Sequence, residues 1–341
     1  MRLIWIKVAA TRLEETLPIF RRRAIAGLAV APFIATAARA QPAFPSRPMT
    51  LVIPFPAGGP SDVFGRYLAQ AMTTRLGQSV VAENKSGAAG VTGVDFVAKA
   101  GSDAHIMGMM TASAAVIMQH LMPRMPYDPK KDIAPLTLMA RVQELLVVNA
   151  KLGINSFKDF VTAAKAKPGK ITCGSAGTGG ITHLAIELLK HEAGIDILHV
   201  PYRGAAPATN DLIAGTVDST LLDISVSLAH IRAGTVKALA VTSDTRSPLL
   251  PEVPTMRELG LPRVNSDNWY ALISPGEALL ANRQKIYAAA VEALHSKDVV
   301  EAYAAQGGVA VGNTSEDLAK FIAAENDKWT EVIEFAHVKL E

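Results

Sequence analysis

From residue 49 to the C-terminus, short runs of aliphatic and β-branched residues alternate with longer segments in which apolar residues recur every three or four positions. The short runs have the length of buried strands, and the longer segments have the spacing of helices with one apolar face. Strands that alternate with helices in this way are typical of an α/β fold. Residues 283–338 are predicted to be mostly helical. The predicted strands lie at residues 51–55, 80–82, 106–110, 145–149, 171–173, 198–200, 217–222, 236–241 and 269–273.

Two of the predicted strands are followed by a glycine loop and then by an amphipathic helix. The first glycine loop (residues 55–62) precedes a helix that Ser61 is expected to cap and Gly77 to end. The second glycine loop (residues 174–180) precedes a helix that Gly194 is expected to end. The first turn of a helix carries N–H groups that have no acceptor inside the helix, and its positive dipole end attracts anions. We therefore predict that both loops aim amide N–H groups into one cleft and bind one anion from two sides.

One strand–loop–helix unit in each half of the chain predicts two lobes around this cleft. The chain would cross between the lobes twice, near residues 145–149 and near residues 267–273. We predict that residues 41–145 and 268–341 form lobe 1 and that residues 146–267 form lobe 2. Two crossings would allow the lobes to bend about a hinge.

The first forty residues have the features of an export signal. Three arginines at 21–23 precede an apolar run at 24–38, and Ala38-Arg39-Ala40 fits a small-residue cleavage site. The run of about 15 residues is shorter than the roughly 20 that a membrane-spanning helix needs. We predict that residues 1–40 are a cleaved signal peptide, for the general secretory or the twin-arginine route, and that the mature protein is periplasmic.

The charge of the chain is concentrated in this leader. The full sequence has 34 Lys and Arg residues against 31 Asp and Glu residues. Seven of the basic and two of the acidic residues lie within residues 1–40, so 27 basic and 29 acidic residues follow it. The predicted mature chain therefore lacks the basic excess that binds a phosphate backbone, and we expect no nucleic-acid partner.

The motifs exclude several kinds of site. A Walker loop ends in Gly-Lys-Ser/Thr, whereas here Ile181 follows the glycines, and a dinucleotide fingerprint needs glycine where Thr182 stands. We therefore predict no cofactor. His191 lacks a second histidine at ligand spacing, which predicts no metal site. Cys173, the single cysteine, lies in an apolar run and is predicted to be a buried thiol without a redox role.

A remote alternative is an exported serine hydrolase that acts through Ser175 and His183. The nucleophile elbow Gly-x-Ser-x-Gly is absent, which disfavours this function. His183 falls in the first turn of a predicted helix, where a packing or hydrogen-bonding role is favoured. The remaining hypothesis is recognition of a small carboxylate by backbone amides, to which Ser61, Ser175 and Thr178 add hydroxyl groups.

Asp62 has two interpretations. It is either a structural carboxylate that interacts with the first turn of its own helix, or an acceptor for an amine, a hydroxyl or an ordered water of a ligand.

Many short motifs in the chain resemble one family over about residues 45–335. The sequence is similar to the Bug, or TctC-like, family of periplasmic solute receptors. The first glycine loop with Pro54 before it carries the resemblance most strongly. The other matching segments are Pro126-Tyr127-Asp128-Pro129, Lys131-Asp132, Lys167-Pro168-Gly169-Lys170, Gly174 to Thr178, Thr182-His183-Leu184, His199-Val200-Pro201-Tyr202-Arg203-Gly204, Ala238-Leu239-Ala240-Val241-Thr242, Arg246-Ser247-Pro248 and Val253-Pro254-Thr255.

The resemblance implies a two-lobed, Venus-flytrap fold of the type II kind with two crossover strands. It also implies a non-enzymatic receptor, expected to be a monomer, that delivers organic acids to the membrane subunits of a tripartite tricarboxylate transporter. A ligand-sensing subunit for a membrane histidine kinase is the alternative function. One carboxylate of the ligand is held between the two loops in this family. By motif position, the implied ligand-binding residues are Phe55, Ala57, Gly58, Gly59, Ser61, Asp62, Thr111, Ser113, Ser175, Ala176, Gly177, Thr178, Tyr202, Arg203 and Asp223.

The chain departs from the family pattern at two places. Asp103-Ala104-His105 stands where the family usually has Asp-Gly-Tyr, and Leu221-Leu222-Asp223 stands where an aromatic residue and Asn or Ser are common. Methionines at 107, 109 and 110 crowd the third predicted strand. They are expected to be core residues, and one that faced the cleft would favour an apolar or aromatic acid. The identity of the acid is left open by these departures.

Overall fold

Two mixed β-sheets form the centre of the part of the chain that the computed structural model describes, residues 44–102 and 104–340. The predicted signal peptide and Asp103 lie outside the described residues. The strands are β1 Met49–Ile53, β2 Val80–Asn84, β3 Ile106–Thr111, β4 Ile133–Val142, β5 Glu144–Asn149, β6 Thr172–Ser175, β7 Leu198–Pro201, β8 Ser219–Asp223, β9 Val236–Val241, β10 Asn268–Pro275 and β11 Gly308–Ala310.

Helices follow most of the strands. A short π-helical segment, Ser113–Ile117, leads from β3 into the third helix. In the described part of the chain, no helix has the length and apolar character needed to cross a bilayer. The α-helices are α1 Pro60–Leu76, α2 Val91–Ala98, α3 Met118–Leu121, α4 Phe157–Ala166, α5 Ile181–Ala193, α6 Ala205–Ala214, α7 Ile224–Arg232, α8 Leu280–Leu294, α9 Lys297–Ala305 and α10 Ser315–Ala336.

The strand order confirms the predicted α/β class and its division between two sheets. The first sheet has the order β11-β4-β10-β3-β1-β2, and the second has the order β7-β6-β8-β5-β9. In the first sheet β1 runs parallel to β2 and β3, whereas β10 is antiparallel to β3 and β4. In the second sheet β6 is parallel to β7 and β8, whereas β5 is antiparallel to β8 and β9. Below, lobe 1 and lobe 2 denote the parts built on the first and the second sheet.

The chain passes from the first sheet to the second through Gln143, which alone separates β4 from β5. It returns in the segment between β9 and β10, residues 242–267. Both passages adjoin the predicted crossings at 145–149 and 267–273. The residue boundaries of the two lobes stay a prediction.

Each predicted strand overlaps an observed one, but β4 and β11 were not predicted. Pro135 lies inside β4, where it pairs with Ile273 at a shift in register against β10. A proline argues against a strand in sequence, yet a strand tolerates it at such an irregularity. β11 is a three-residue strand at the edge of the first sheet, inside the stretch predicted to be helical. It is too short to show the alternation of apolar and polar residues by which a strand is recognised in a sequence.

The predicted start of α1 was wrong by two residues, whereas the predicted helix ends are confirmed. Gly59 caps α1 with an extended backbone, and Pro60 is the first helical residue. Proline suits this position because the N–H that it lacks would have no acceptor in the helix. Gly77 and Gly194 end α1 and α5 in the left-handed conformation, with φ values of 66° and 58°.

The residues that were predicted to be buried lie in the core. Cys173 is fully buried, and burial raises the pKa of its thiol to about 12, which confirms that it is not a thiolate. The methionines at 107, 109 and 110 are also buried. Gly65 lets α1 lie close to this part of the first sheet, because a Cβ atom there would stand 2.7 Å from the sulfur of Met109.

The C-terminal helix α10, whose residues were predicted to belong to lobe 1, packs against both lobes. It contacts β4 of the first sheet and α5 of lobe 2. Its Phe335 ring stacks on His191 of α5, with the ring centres 4.2 Å apart. The partly buried Glu325 of α10 accepts hydrogen bonds from the indole nitrogens of Trp269 and Trp329, at 2.9 and 3.1 Å.

We expect Leu146→Ala, in the centre of the second sheet, to lower the free energy of unfolding by about 2–5 kcal/mol. The side chain is fully buried in β5 between β8 and β9, so truncation leaves a cavity. Urea denaturation measures the change. Leu280→Ala is the matched control, since 63% of Leu280 is exposed, and it should change the free energy by less than about 0.5 kcal/mol. Equal effects of the two variants would contradict the assigned packing.

Candidate functional site

A cavity lies between the lobes, at the ends of strands from both sheets. We call it the cleft cavity. About 90 Å³ of it is open to the centres of water molecules, which is several times what one water needs. The predicted site residues that line it are Phe55, Ala57, Gly59, Ser61, Thr111, Ser113, Ala176, Arg203 and Asp223.

The other predicted site residues lie around this cavity. Gly177, Thr178 and Tyr202 line an adjoining groove that shares Phe55 and Ala176 with it. Gly58 faces a separate surface depression beside Val63. Asp62 and Ser175 line neither the cleft cavity nor the groove.

The first glycine loop is held in shape by Asp62. One carboxylate oxygen accepts the N–H of Gly58 at 3.1 Å, and the other accepts hydrogen bonds from Arg66 Nε and Asn84 Nδ2 at 2.8 and 2.9 Å. Asn84 Nδ2 also donates to the carbonyl oxygen of Phe55 at 2.9 Å. Burial of Asp62 favours its neutral form, but these hydrogen bonds outweigh burial and lower the pKa of the carboxyl. Asp62 is therefore ionised, and its hydrogen bonds fix the conformation of the loop.

The second glycine loop uses most of its amide groups internally. The N–H of Ala176 donates to Thr182 Oγ1 at 2.9 Å, and the N–H of Gly179 donates to His183 Nδ1 at 3.1 Å. The N–H of Gly177 donates to Ser175 Oγ at 3.2 Å, and that of Gly180 donates to the carbonyl of Gly177 at 3.3 Å. The expectation that this loop presents a row of free amides is therefore wrong for these four groups. Their hydrogen bonds fix the loop instead.

Two stacked imidazoles support the second glycine loop from beneath. The rings of His183 and His199 lie 3.7 Å apart and within 10° of parallel, and His199 Nε2 is 2.6 Å from Ser175 Oγ. Burial lowers the pKa of His183 to about 4 and that of His199 to about 3. Both rings are therefore neutral at pH 7. The predicted packing and hydrogen-bonding role of His183 is confirmed.

The Ser175–His199 contact does not form a catalytic triad. Ser175 is fully buried and contacts His199, not the His183 of the hydrolase hypothesis. Among the described residues, no carboxylate forms a hydrogen bond with His199. A nucleophilic serine needs an orienting group on the base and access to substrate, and this pair lacks both.

The first turns of three helices face the cleft cavity. Ser61 of α1, Thr182 of α5 and Ala206 of α6 are among its lining residues. N–H groups in the first turn have no acceptor within the helix. In α5 the N–H of Ile181 already donates to Ser113 Oγ of lobe 1 at 3.0 Å, a contact that joins the lobes.

Sequence reasoning missed the contribution of α6. The lining segment Gly204-Ala205-Ala206-Pro207 follows β7, so it repeats the order of strand, glycine and helix seen in both glycine loops. That repeated order was the signal available in the sequence. Arg203, just before it, is exposed and is the one basic side chain among the described lining residues.

Thr111 offers the cavity a hydroxyl group without a partner. The residue is 2% exposed, and within the described chain its Oγ1 atom has no hydrogen-bond partner. A buried hydroxyl without a partner is unfavourable by about 1–3 kcal/mol. Its position in the cavity lining therefore points to a bound molecule.

A buried acidic group completes the lining. Asp223, at the end of β8, accepts hydrogen bonds from the Tyr270 hydroxyl at 2.5 Å and from Asn268 Nδ2 at 3.1 Å. Burial raises the pKa of Asp223 to about 6, although these hydrogen bonds oppose the shift. Asn268 and Tyr270 also line the cavity and were not predicted as site residues. Their signal was two polar groups at the start of the otherwise apolar strand β10.

Comparison with known proteins places this site in a family. Residues 64–338 match the model of the tripartite tricarboxylate transporter family receptor. The chain is 38% identical to BugT of Bordetella pertussis over 319 residues, which cover 91% of this chain and 96% of BugT. It is also similar to two solved structures. A protein of R. palustris with adipate has 30% identity and a TM-score of 0.84, covering 87% of this chain and 99% of that one. MatC of Rhodopseudomonas palustris with bound malate has 29% identity and a TM-score of 0.80, covering 85% and 100%.

The family match agrees with the two-sheet fold and with a cavity between the lobes, and it leaves the hydrolase alternative without support. This chain belongs to the tripartite tricarboxylate transporter receptor family, whose members are periplasmic solute receptors.

Proposed function

We propose that the protein binds a small organic carboxylate in the cleft cavity and delivers it to the membrane subunits of a tripartite tricarboxylate transporter. The observation that carries the proposal is the convergence of α1, α5 and α6 on one cavity that the Thr111 hydroxyl also lines. The adipate and malate of two relatives support a carboxylate as the class of ligand.

The cavity can hold a carboxylate without a buried ion pair. Each helix N-terminus stabilises a nearby anion by about 0.3–1 kcal/mol. A hydrogen bond to a charged group contributes a further 1.5–3 kcal/mol or so. The hydroxyl groups of Thr111 and Ser113 and the first-turn amides supply such donors, and Arg203 at the edge adds attraction over a longer range.

We propose a division of labour among the predicted site residues. Those that line the cleft cavity contact the ligand, and Gly177, Thr178 and Tyr202 line its entrance through the adjoining groove. Gly58, Asp62 and Ser175 act indirectly, by holding the two glycine loops in shape.

Ligand binding would favour the closed arrangement of the lobes. The cavity has α1 on one side and α5 and α6 on the other, and α1 belongs to lobe 1 whereas α5 and α6 belong to lobe 2. One carboxylate can contact both sides only when the lobes are together, so its binding energy stabilises closure. The Ser113–Ile181 hydrogen bond is one contact that opening would break.

Export and oligomeric state complete the proposal. Residues 1–40 would be removed after secretory or twin-arginine export, and the mature receptor would act as a monomer. The intact mass of the exported protein tests the cleavage after Ala40, and light scattering tests the monomer.

The first prediction concerns the class of ligand. In a thermal-shift screen of the protein without its signal peptide, at least one mono-, di- or tricarboxylate should raise the melting temperature. A ligand at 100 times its Kd stabilises a protein by about 2.7 kcal/mol, which is readily detected. Calorimetry on the strongest hit should then give one site per chain. A response to neutral sugars alone, with none to carboxylates, would refute the proposed function.

The second prediction concerns Thr111. Thr111→Val removes a hydroxyl that has no partner in the described chain, so the ligand-free protein should be as stable as the wild type or more stable. The same change should weaken carboxylate binding about tenfold or more, because a hydrogen bond to a charged group is lost. Calorimetry and urea denaturation measure the two effects.

Thr220→Val is the matched control for this experiment. Thr220 is also buried and its Oγ1 atom also lacks a partner among the described residues, but it does not line the cavity. Its replacement should leave affinity unchanged. Equal loss of affinity in both variants would argue against a ligand contact by Thr111.

The third prediction concerns the neutral imidazoles under the second glycine loop. The pKa of His183 is about 4 in the folded protein and about 6.5 when unfolded, so the unfolded chain takes up a proton first as the pH falls. Between about pH 7 and pH 5 this should lower the free energy of unfolding by roughly 2 kcal/mol. His183→Asn keeps a hydrogen-bond acceptor near the Nδ1 position but has no imidazole to protonate. Its free energy of unfolding should therefore fall by roughly 2 kcal/mol less than that of the wild type between the two pH values.

Urea denaturation at both pH values measures the difference between wild type and His183→Asn. Asp223 has a raised pKa and acts in the opposite direction, and His199 has a lowered pKa and acts in the same direction. Both are present in both proteins, so the difference reports on His183 together with its effect on the pKa of the stacked His199. His337→Asn, at an exposed position, serves as the control. A pH dependence of His183→Asn identical to that of the wild type would contradict a buried neutral ring.

A further inference from the structure

The cleft cavity contains a buried carboxylate in addition to its anion-attracting groups. Asp223 is 2% exposed and lines the cavity with Asn268 and Tyr270. In the described chain no basic side chain forms an ion pair with it, and its hydrogen bonds come from two neutral groups. A cavity that attracted only anions would gain nothing from an acidic group in its wall.

The neutral groups around Asp223 have no donor left for a ligand. The single hydroxyl proton of Tyr270 is directed at Asp223. The amide group of Asn268 donates to Asp223 and to the Tyr270 oxygen, at 3.1 Å in both cases, while its own oxygen accepts the N–H of Trp269 at 2.9 Å. We call these three residues the acceptor patch. The lone pairs of Asp223 are what this patch can offer to a bound molecule, since the Tyr270 oxygen already accepts from Asn268 and interacts with the Ser61 side chain.

The neighbouring acid leaves the negative charge on Asp223. Glu144 lies directly across the strand pair from Asp223, is fully buried, and accepts a hydrogen bond from Ser266 Oγ at 2.7 Å. Burial and the nearby Asp223 raise the pKa of Glu144 well above its usual range, which favours the neutral form of Glu144. The pKa of Asp223 is about 6, so Asp223 is mostly ionised there.

We infer that the cavity selects carboxylic acids that also carry a hydrogen-bond donor, an amino or a hydroxyl group, and that Asp223 receives this donor. The inference rests on the proposed function, since the carboxylate of the same ligand occupies the helix N-termini. A second carboxylate beside Asp223 would meet a like charge in a buried site, where Asn268 and Tyr270 have no hydrogen-bond donor left to offer it. A plain alkyl end would leave the Asp223 carboxylate desolvated without a new partner.

The test compares acids that share one chain length and differ only at the second end. Calorimetric titration uses γ-aminobutyrate, γ-hydroxybutyrate, succinate and butyrate, followed by the corresponding sets with longer chains. The amino or the hydroxy acid of a set should bind at least about tenfold more tightly than its dicarboxylate and its plain acid. If the amino acid binds more tightly than the hydroxy acid, the cavity prefers a charged donor; the reverse order indicates a neutral one.

Asp223→Asn should abolish this preference, because it removes the charge while keeping the size of the side chain. The ratio of affinities between amino or hydroxy acid and dicarboxylate should fall at least about tenfold. Glu144→Gln is the matched control: it replaces the carboxyl group of a buried acid that is the cross-strand neighbour of Asp223 but does not line the cavity, and it should leave the ratio unchanged. Asp223→Ser provides a second variant. The wild-type titrations test the inference even if neither variant folds.

The outcomes separate this inference from the proposed function. If dicarboxylates bind the wild type best, or if Asp223→Asn keeps the wild-type ratio, the inference is overturned and carboxylate binding stands. If no acid of these sets binds while another carboxylate of the thermal-shift screen does, the inference is overturned and the proposed function stands. If no carboxylate binds at all, the proposed function fails and the inference fails with it.

Discussion

N–H groups in the first turn of a helix generally have no acceptor inside the helix, and the fold brings the first turns of α1, α5 and α6 to one cavity. This requirement explains much of the architecture. The helices come from two different sheets, so the sheets must lie with their strand ends toward each other. The short passage through Gln143 and the returning segment at 242–267 connect them without filling the space between. The unpartnered hydroxyl of Thr111 in the same wall is available to donate to a bound molecule.

The glycine loops contribute to this site by being rigid rather than by exposing every amide. Asp62 and Asn84 hold the first loop, and Thr182 and His183 hold the second, each through hydrogen bonds to main-chain atoms. A loop that has satisfied its own amides does not rearrange when a ligand enters, so less entropy is lost on binding. The glycines allow the sharp turns, and the side chains that follow them in α1 and α5 set the shape.

Polarity in the cavity is mixed, and this distinguishes it from a simple anion hole. Helix termini and hydroxyl groups attract a carboxylate, while the acceptor patch of Asp223, Asn268 and Tyr270 offers only lone pairs. A ligand that satisfies both regions needs an acidic group and a donor in one small molecule. The charge on Asp223 is stabilised by neutral donors, and its proximity helps to raise the pKa of the neighbouring Glu144, because two ionised carboxylates side by side in a buried site repel each other.

The sequence by itself determined the α/β class, the positions of most strands, the helix ends at Gly77 and Gly194, and the burial of Cys173, because these depend on local periodicity and on the backbone freedom of glycine. It also identified the two glycine loops and, through family resemblance, residues from both walls of the cavity. Only the tertiary structure decided that Asp62 braces its loop, that Ser175 turns toward His199, and that α6, Asn268 and Tyr270 join the lining. These facts depend on which groups from distant parts of the chain meet in space and which hydrogen bonds they leave unused, and spacing along a chain carries no information about either.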